Sequence, residues 1–127
     1  MLNQSGIKKT TGVSTKQILG NVELQYSVGI VVAQAVGVQE GARKIAKAGM
    51  PVTGNLDQRT TAFTEANADG SDVVGVLLHD VDVTDGAANA TLLLFGFVNM
   101  NMIDSTTQGK LATEVKKALP MIKFIKY

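Results

Sequence analysis

The reading of the fold turns on Val73-Val74-Gly75-Val76-Leu77-Leu78-His79-Asp80-Val81-Asp82-Val83, then Thr84-Asp85-Gly86-Ala87-Ala88-Asn89, then Ala90-Thr91-Leu92-Leu93-Leu94-Phe95-Gly96-Phe97-Val98. β-branched and aromatic residues dominate both flanks, and such runs bounded by turn residues form strands. The stretch predicts two long strands around a turn, with Val73 to Val83 as the first. Asp-Gly at positions 85 and 86 favours a hairpin turn, here in a loop longer than two residues. Gly75 inside the first strand predicts a bulge or a close backbone approach. Thr91 to Met100 is nearly all apolar, which places it in the buried centre of the sheet.

Composition bounds the rest. A chain of 127 residues makes one domain and buries roughly two thirds of its unfolded surface. The net charge of +1 argues against a strong nucleic-acid binder, which carries a basic face. Cysteine is absent, which removes disulfides, thiolate metal sites and cysteine nucleophiles. Lys8 and Lys9 are followed by no apolar stretch, so no secretion signal is read. The longest apolar runs, Val28 to Val36 and Ala90 to Val98, fall short of the ~20 residues of a spanning helix. The sequence reads as that of a soluble protein.

Outward from the hairpin, residues 1–21 are polar with scattered apolar residues of no steady period, and they predict an extended arm ordered by a partner. Val22 to Tyr26 alternates as a short strand, and Gly29 to Val36 predicts a core strand. Gly37 to Gly41 predicts a turn. Ala42 to Ala48 fits a strand or a helical turn, and Met50 to Gly54 a strand, with Gly49 supplying a positive φ or a bulge. Asn55 to Gly70 is polar around one apolar anchor, Ala62-Phe63-Thr64. Asp104 or Ser105 caps a single helix whose Leu111, Val115 and Ala118 or Leu119 share a face, and Pro120 stops it. Met121 to Tyr127 closes the chain as a strand or extended tail. The fold class expected is mainly β (α+β): a compact β-barrel- or β-sandwich-like domain over residues 22–127, with one helix near the C-terminus and the extended N-terminal arm.

Candidate chemistry is thin. His79 is the sole histidine. Its neighbour Asp80 points to the opposite face of a strand, so the two form no local dyad. A base role would need Asp57 or Asp69 from elsewhere. Asp80, Asp82 and Asp85-Gly86 imitate a calcium loop, but Thr84 and Thr91 stand where a fifth-position acceptor and a twelfth-position glutamate belong. Gly41-Ala42-Arg43-Lys44-Ile45 lacks the Gly-Lys-Ser/Thr ending of a phosphate loop and predicts basic residues on an exposed edge. Met50, Met100, Met102 and Met121 read as gap-filling core. No catalytic residue, cofactor or metal site is expected.

Lys47-Ala48-Gly49-Met50-Pro51-Val52-Thr53-Gly54, Ala68 to Val81, Leu94-Phe95-Gly96-Phe97-Val98-Asn99 and Leu119-Pro120-Met121-Ile122-Lys123-Phe124-Ile125 together resemble tailed-phage head decoration proteins, a group that includes head fibre proteins. The likeness covers about Val28 to Tyr127. It implies a non-enzymatic virion protein that binds the outer surface of an assembled capsid and stabilises the shell. The implied partners are the major capsid protein and further copies of this chain in a homotrimer, with no nucleic acid and no membrane. In lambda-type relatives an N-terminal arm adds to a strand of the shell protein. The arm residues expected to touch the shell here are Ile7, Lys8, Lys9, Val13, Ile18 and Leu19, apolar or basic side chains with no core of their own. The alternative is the shell-anchoring base of a head fibre or a carbohydrate-binding adhesin module. Aromatics are only 5% of the chain, which weakens the sugar reading. A hydrolase or isomerase site around His79 is a third possibility.

Overall fold

A computed structural model of the protein describes residues 18–19 and 25–126. In chain order it forms β1 (Tyr26–Val32), a 3-10 turn (Gln34–Val36), β2 (Val38–Glu40), β3 (Arg43–Ala46), β4 (Pro51–Thr53) and β5 (Thr64–Glu65). Then come β6 (Gly75–Leu77), β7 (Val81–Asp82), β8 (Ala88–Asn99), a 3-10 turn (Met100–Met102), α1 (Ser105–Lys110), α2 (Thr113–Lys117) and β9 (Ile122–Ile125). The fold is mainly β, in two sheets that do not close into a barrel.

β8 organises the larger sheet. It pairs β1 antiparallel from Val32↔Ala88 to Tyr26↔Phe95, with a bulge between Tyr26 and Ser27. It also pairs β6 antiparallel at Val76↔Leu93 and β9 in parallel from Ile122↔Gly96 to Ile125↔Asn99. The order is β9-β8-β6-β4-β5, with β1 also on β8. Consecutive residues of β8 and β6 feed two different cores. Leu93 and Val76 pack with Val98, Ile103, Val115 and Ile122, while Leu92 and Leu77 pack with Val52, Phe63, Val83 and Met50. Both faces of this sheet are therefore covered around Leu92 and Leu93, which is why the sequence there is continuously apolar instead of alternating. Phe95, within the run expected to lie in the buried centre, is 37% exposed.

The first predicted long strand is broken. β6 ends at Leu77, the chain bends at Leu78 and His79, and β7 joins β3 in a separate three-stranded sheet ordered β2-β3-β7. Hydrogen bonds hold the switch. The Asp80 Oδ1 accepts from the Ala48 amide at 2.8 Å, and the Val83 amide donates to the Lys44 carbonyl at 2.8 Å. The close approach expected at Gly75 is present: a Cβ there would stand 2.5 Å from the Leu93 carbonyl oxygen. Gly49 has φ +91, as its place before Met50-Pro51 suggested. β1 stops at Val32, and Gln34–Val36 is a 3-10 turn where the core strand was expected to continue. Ala42 to Ala48 resolves to strand β3, and Val38–Glu40 within the expected turn is strand β2. Phe63 is fully buried and bridges Val32, which anchors the polar loop 54–63 over the second core.

The one expected helix is two. Asp104 caps α1 by accepting from the Thr107 amide at 3.2 Å. α1 ends at Lys110, Leu111 takes φ −93 and ψ 62, and α2 starts at Thr113. Four residues of a straight helix advance it ~40° past a full turn, so along Thr107, Leu111, Val115 and Leu119 the last would lie about 120° around from the first. The break lets all four stay buried, with Leu111, Val115 and Leu119 in the first core.

Candidate interaction surface

Of the residues expected to touch a partner, Ile7, Lys8, Lys9 and Val13 lie outside the described residues. Ile18 and Leu19 require a correction. Ile18 is fully buried and Leu19 is 9% exposed, both in the first core. Leu19 bridges Val98 antiparallel, and the Asn99 amide donates to the Ile18 carbonyl at 2.6 Å. These two side chains have a core of their own, so they offer no face to a partner. The end of the polar N-terminal stretch is thereby stitched to the end of β8.

His79 sits half-buried at the bend after β6. Its Nδ1 is buried and makes no hydrogen bond, so no carboxylate orients the ring from that side. Asp80 is engaged with the Ala48 amide. Asp69 closes a turn instead: hydrogen bonds from the Ser71 amide and hydroxyl hold its carboxyl below the ordinary range. Among the described residues no cluster of three or more His, Asp or Glu side chains is arranged to hold a metal ion. Asp82 is likewise used locally. Its Oδ1 accepts from the Thr84 hydroxyl at 2.6 Å and the Thr84 amide at 2.9 Å, and its Oδ2 pairs with Arg43. The Thr84 hydroxyl is the main cause of its lowered pKa, ahead of the Thr84 amide and Arg43.

The basic segment 43–47 also differs from expectation. β3 is the middle strand of its sheet, not an edge. Arg43 pairs with Asp82, and Lys47 with Glu40, whose hydrogen bond raises the lysine pKa. These cations are neutralised across neighbouring strands. Met50 and Met100 fill the cores as expected, whereas Met102 and Met121 are exposed.

The surface that the sequence did not disclose lies where loop 54–63 passes β1. Tyr26 is 61% exposed and Leu56 is 40% exposed. With Val28, Leu94 and Arg59 they line an apolar hollow of about 250 Å³. Leu56 and Arg59 also border a shallow groove of about 800 Å³ that continues past Gly29, Asp57, Gln58 and Asn89. Arg59 is set by the backbone: its carbonyl accepts from the Val31 amide at 3.1 Å, and its guanidinium donates to the Gly29 carbonyl at 3.3 Å. The Asn55 side chain accepts from the Asp57 amide at 2.8 Å and shapes the turn. The result is a firm surface, apolar at one end and polar at the other. Alternation in Val22 to Tyr26 marked Tyr26 as one member of a strand face. Only the path of loop 54–63 shows that its ring stays exposed.

Among the described residues no helix is long and apolar enough to cross a membrane. No family model matches the chain, and no curated protein matches it.

Proposed function

We propose that this chain is a non-enzymatic structural protein that binds the outer surface of an assembled phage capsid and stabilises the shell, working as a homotrimer on the major capsid protein. One observation carries the reading. The four segments that resemble head decoration proteins contain β4, β6, the second half of β8 and β9, strands that are consecutive neighbours in the larger sheet. The likeness thus falls on one framework instead of scattered loops. That framework is cored on both faces, as a rigid clamp requires. The exposed Tyr26 and Leu56, with half-buried Leu94 between them and the second core, supply apolar contact area beside it. Such a patch is small against the ~1,600 Å² of a standard interface. Binding therefore draws on further segments, and residues 1–17 are the proposed source through strand addition to the shell protein. A ligand stabilises the state it binds, so a preference repeated at every shell site biases the whole particle.

The test is electron microscopy of purified heads with and without the chain, with knobs expected at three-fold or quasi-three-fold positions. Deletion must stop before Ile18, because Ile18 and Leu19 belong to the core. A chain lacking residues 1–16 should fold and fail to decorate heads. Full decoration by that variant, or bare heads with the intact chain, refutes the proposal.

The groove gives the alternative its one specific support. An exposed Tyr26 ring in the adjoining hollow and Asp57, Gln58 and Asn89 along the groove suit a sugar, which stacks on an aromatic face and exchanges hydrogen bonds with planar polar groups. Glycan-array binding that disappears in Tyr26→Ala would favour an adhesin module over a purely mechanical one.

A further inference from the structure

β9 is the outermost strand of the larger sheet, and among the described residues no segment pairs with its outer edge. The Gly96 amide donates to the Met121 carbonyl at 3.1 Å, with Ile122 opposite Gly96. Bonding groups alternate along a parallel ladder, so the amide and carbonyl of Phe124 turn away from β8. A hollow of about 390 Å³ lies between α2 and β9, with Leu119, Ile122 and Phe124 in its wall and Lys116, Lys117 and Lys123 around it. Residues 113–126 carry Lys116, Lys117, Lys123 and Lys126 against Glu114 alone, a local charge of +3 in a chain of net +1. Among the described residues these four lysines make no ion pair, whereas Lys47 and Lys110 pair with Glu40 and Glu65.

We infer that β9 is a docking edge for an extended segment of another protein in which acidic and apolar residues alternate. The edge supplies main-chain hydrogen bonds, and side-chain pockets supply selectivity, as in strand addition generally. Acidic residues of the segment meet the lysines, and its apolar residues settle against Phe124. A second copy of β9 is disfavoured, because it would bring two segments of charge +3 together. Residues 1–17 are disfavoured on the same ground, since they hold Lys8, Lys9 and Lys16 and no acid. A nucleic acid would use the lysines but leave the strand edge unmatched. The inference is independent of the capsid reading.

The experiment uses the full chain and a fluorescent peptide alternating glutamate and valine over about seven residues, a length that spans a typical strand. Anisotropy should report binding that weakens with added salt, because exposed charges are screened. Amide exchange at Phe124 should slow on binding. Lys123→Glu with Lys126→Glu should weaken binding about tenfold while thermal unfolding stays unchanged, since both are exposed surface lysines. Equal binding of a lysine-valine peptide, equal binding of polyglutamate, tighter binding of a single-stranded oligonucleotide, or unaltered exchange at Phe124 would each overturn the inference. So would the absence of binding at millimolar peptide.

Discussion

Replacing Ile18 by alanine separates a core residue from a contact residue. Ile18 is fully buried among Leu93, Val98, Met100 and Ile122, and its carbonyl accepts from the Asn99 amide at 2.6 Å. The substitution removes three carbons, a transfer loss of about 2.4 kcal/mol at ~0.8 kcal/mol each. The cavity left behind adds to this, and measured large-to-small changes run about 2–5 kcal/mol. We expect about 3–4 kcal/mol. Unfolding entropy near 2.1 cal/mol/K per residue gives roughly 270 cal/mol/K here, so Tm should fall by about 12 °C. The assay is thermal and urea unfolding of the isolated chain, where the midpoint should drop with the urea slope unchanged. A residue reserved for a partner would leave the isolated chain within about 0.5 kcal/mol of the parent. A fall in Tm below about 2 °C would therefore refute the placement of Ile18 in the core.

Gly75→Ala should destabilise by about 1–3 kcal/mol, because the added methyl meets the Leu93 carbonyl oxygen at 2.5 Å within the central sheet; urea unfolding equal to the parent's would count against that contact. Asp104→Ala should cost about 1 kcal/mol by freeing the Thr107 amide, read in the same way, and Asp104→Asn should recover most of the loss. Asp82 has its carboxyl held low, chiefly by the Thr84 hydroxyl, so the folded state binds fewer protons than the unfolded state. Its contribution is present above the ordinary carboxylate range and is lost as pH falls through the lowered folded value, below about pH 4. Asp82→Asn should make the acid limb of the stability profile shallower, and profiles of identical shape would show that the Thr84 contacts carry no weight.

Much of the framework was legible in the residues. The apolar run through Leu92 and Leu93 announced a buried strand, Gly75 a close approach, Gly49 a positive φ, and Asp104 a helix start. Each of these signals is local, because it rests on side-chain branching, on a missing Cβ, or on an oxygen within reach of a free amide. Local signals failed where two distant segments competed for the same backbone. Val73 to Val83 has the composition of one strand, yet the Ala48 amide and the Lys44 carbonyl bend it from one sheet into the other. Thr107 to Leu119 has the spacing of one helix, yet a straight helix would set Leu119 about 120° from Thr107, and the break at Leu111 keeps both buried.

By itself, then, the sequence settled that the chain is mainly β, that its apolar residues suffice for a core, and that Leu92 and Leu93 lie inside it. Hydrophobic patterning alone dictates those features, since burial scales with the apolar area each segment brings. The tertiary structure decided which face each residue serves. It drew Ile18 and Leu19 into the core, left Tyr26 and Leu56 exposed where loop 54–63 crosses β1, and set Lys116, Lys117 and Lys123 around the hollow beside β9. Exposure belongs to the packed arrangement, because a side chain is covered or bare according to segments far from it in the chain.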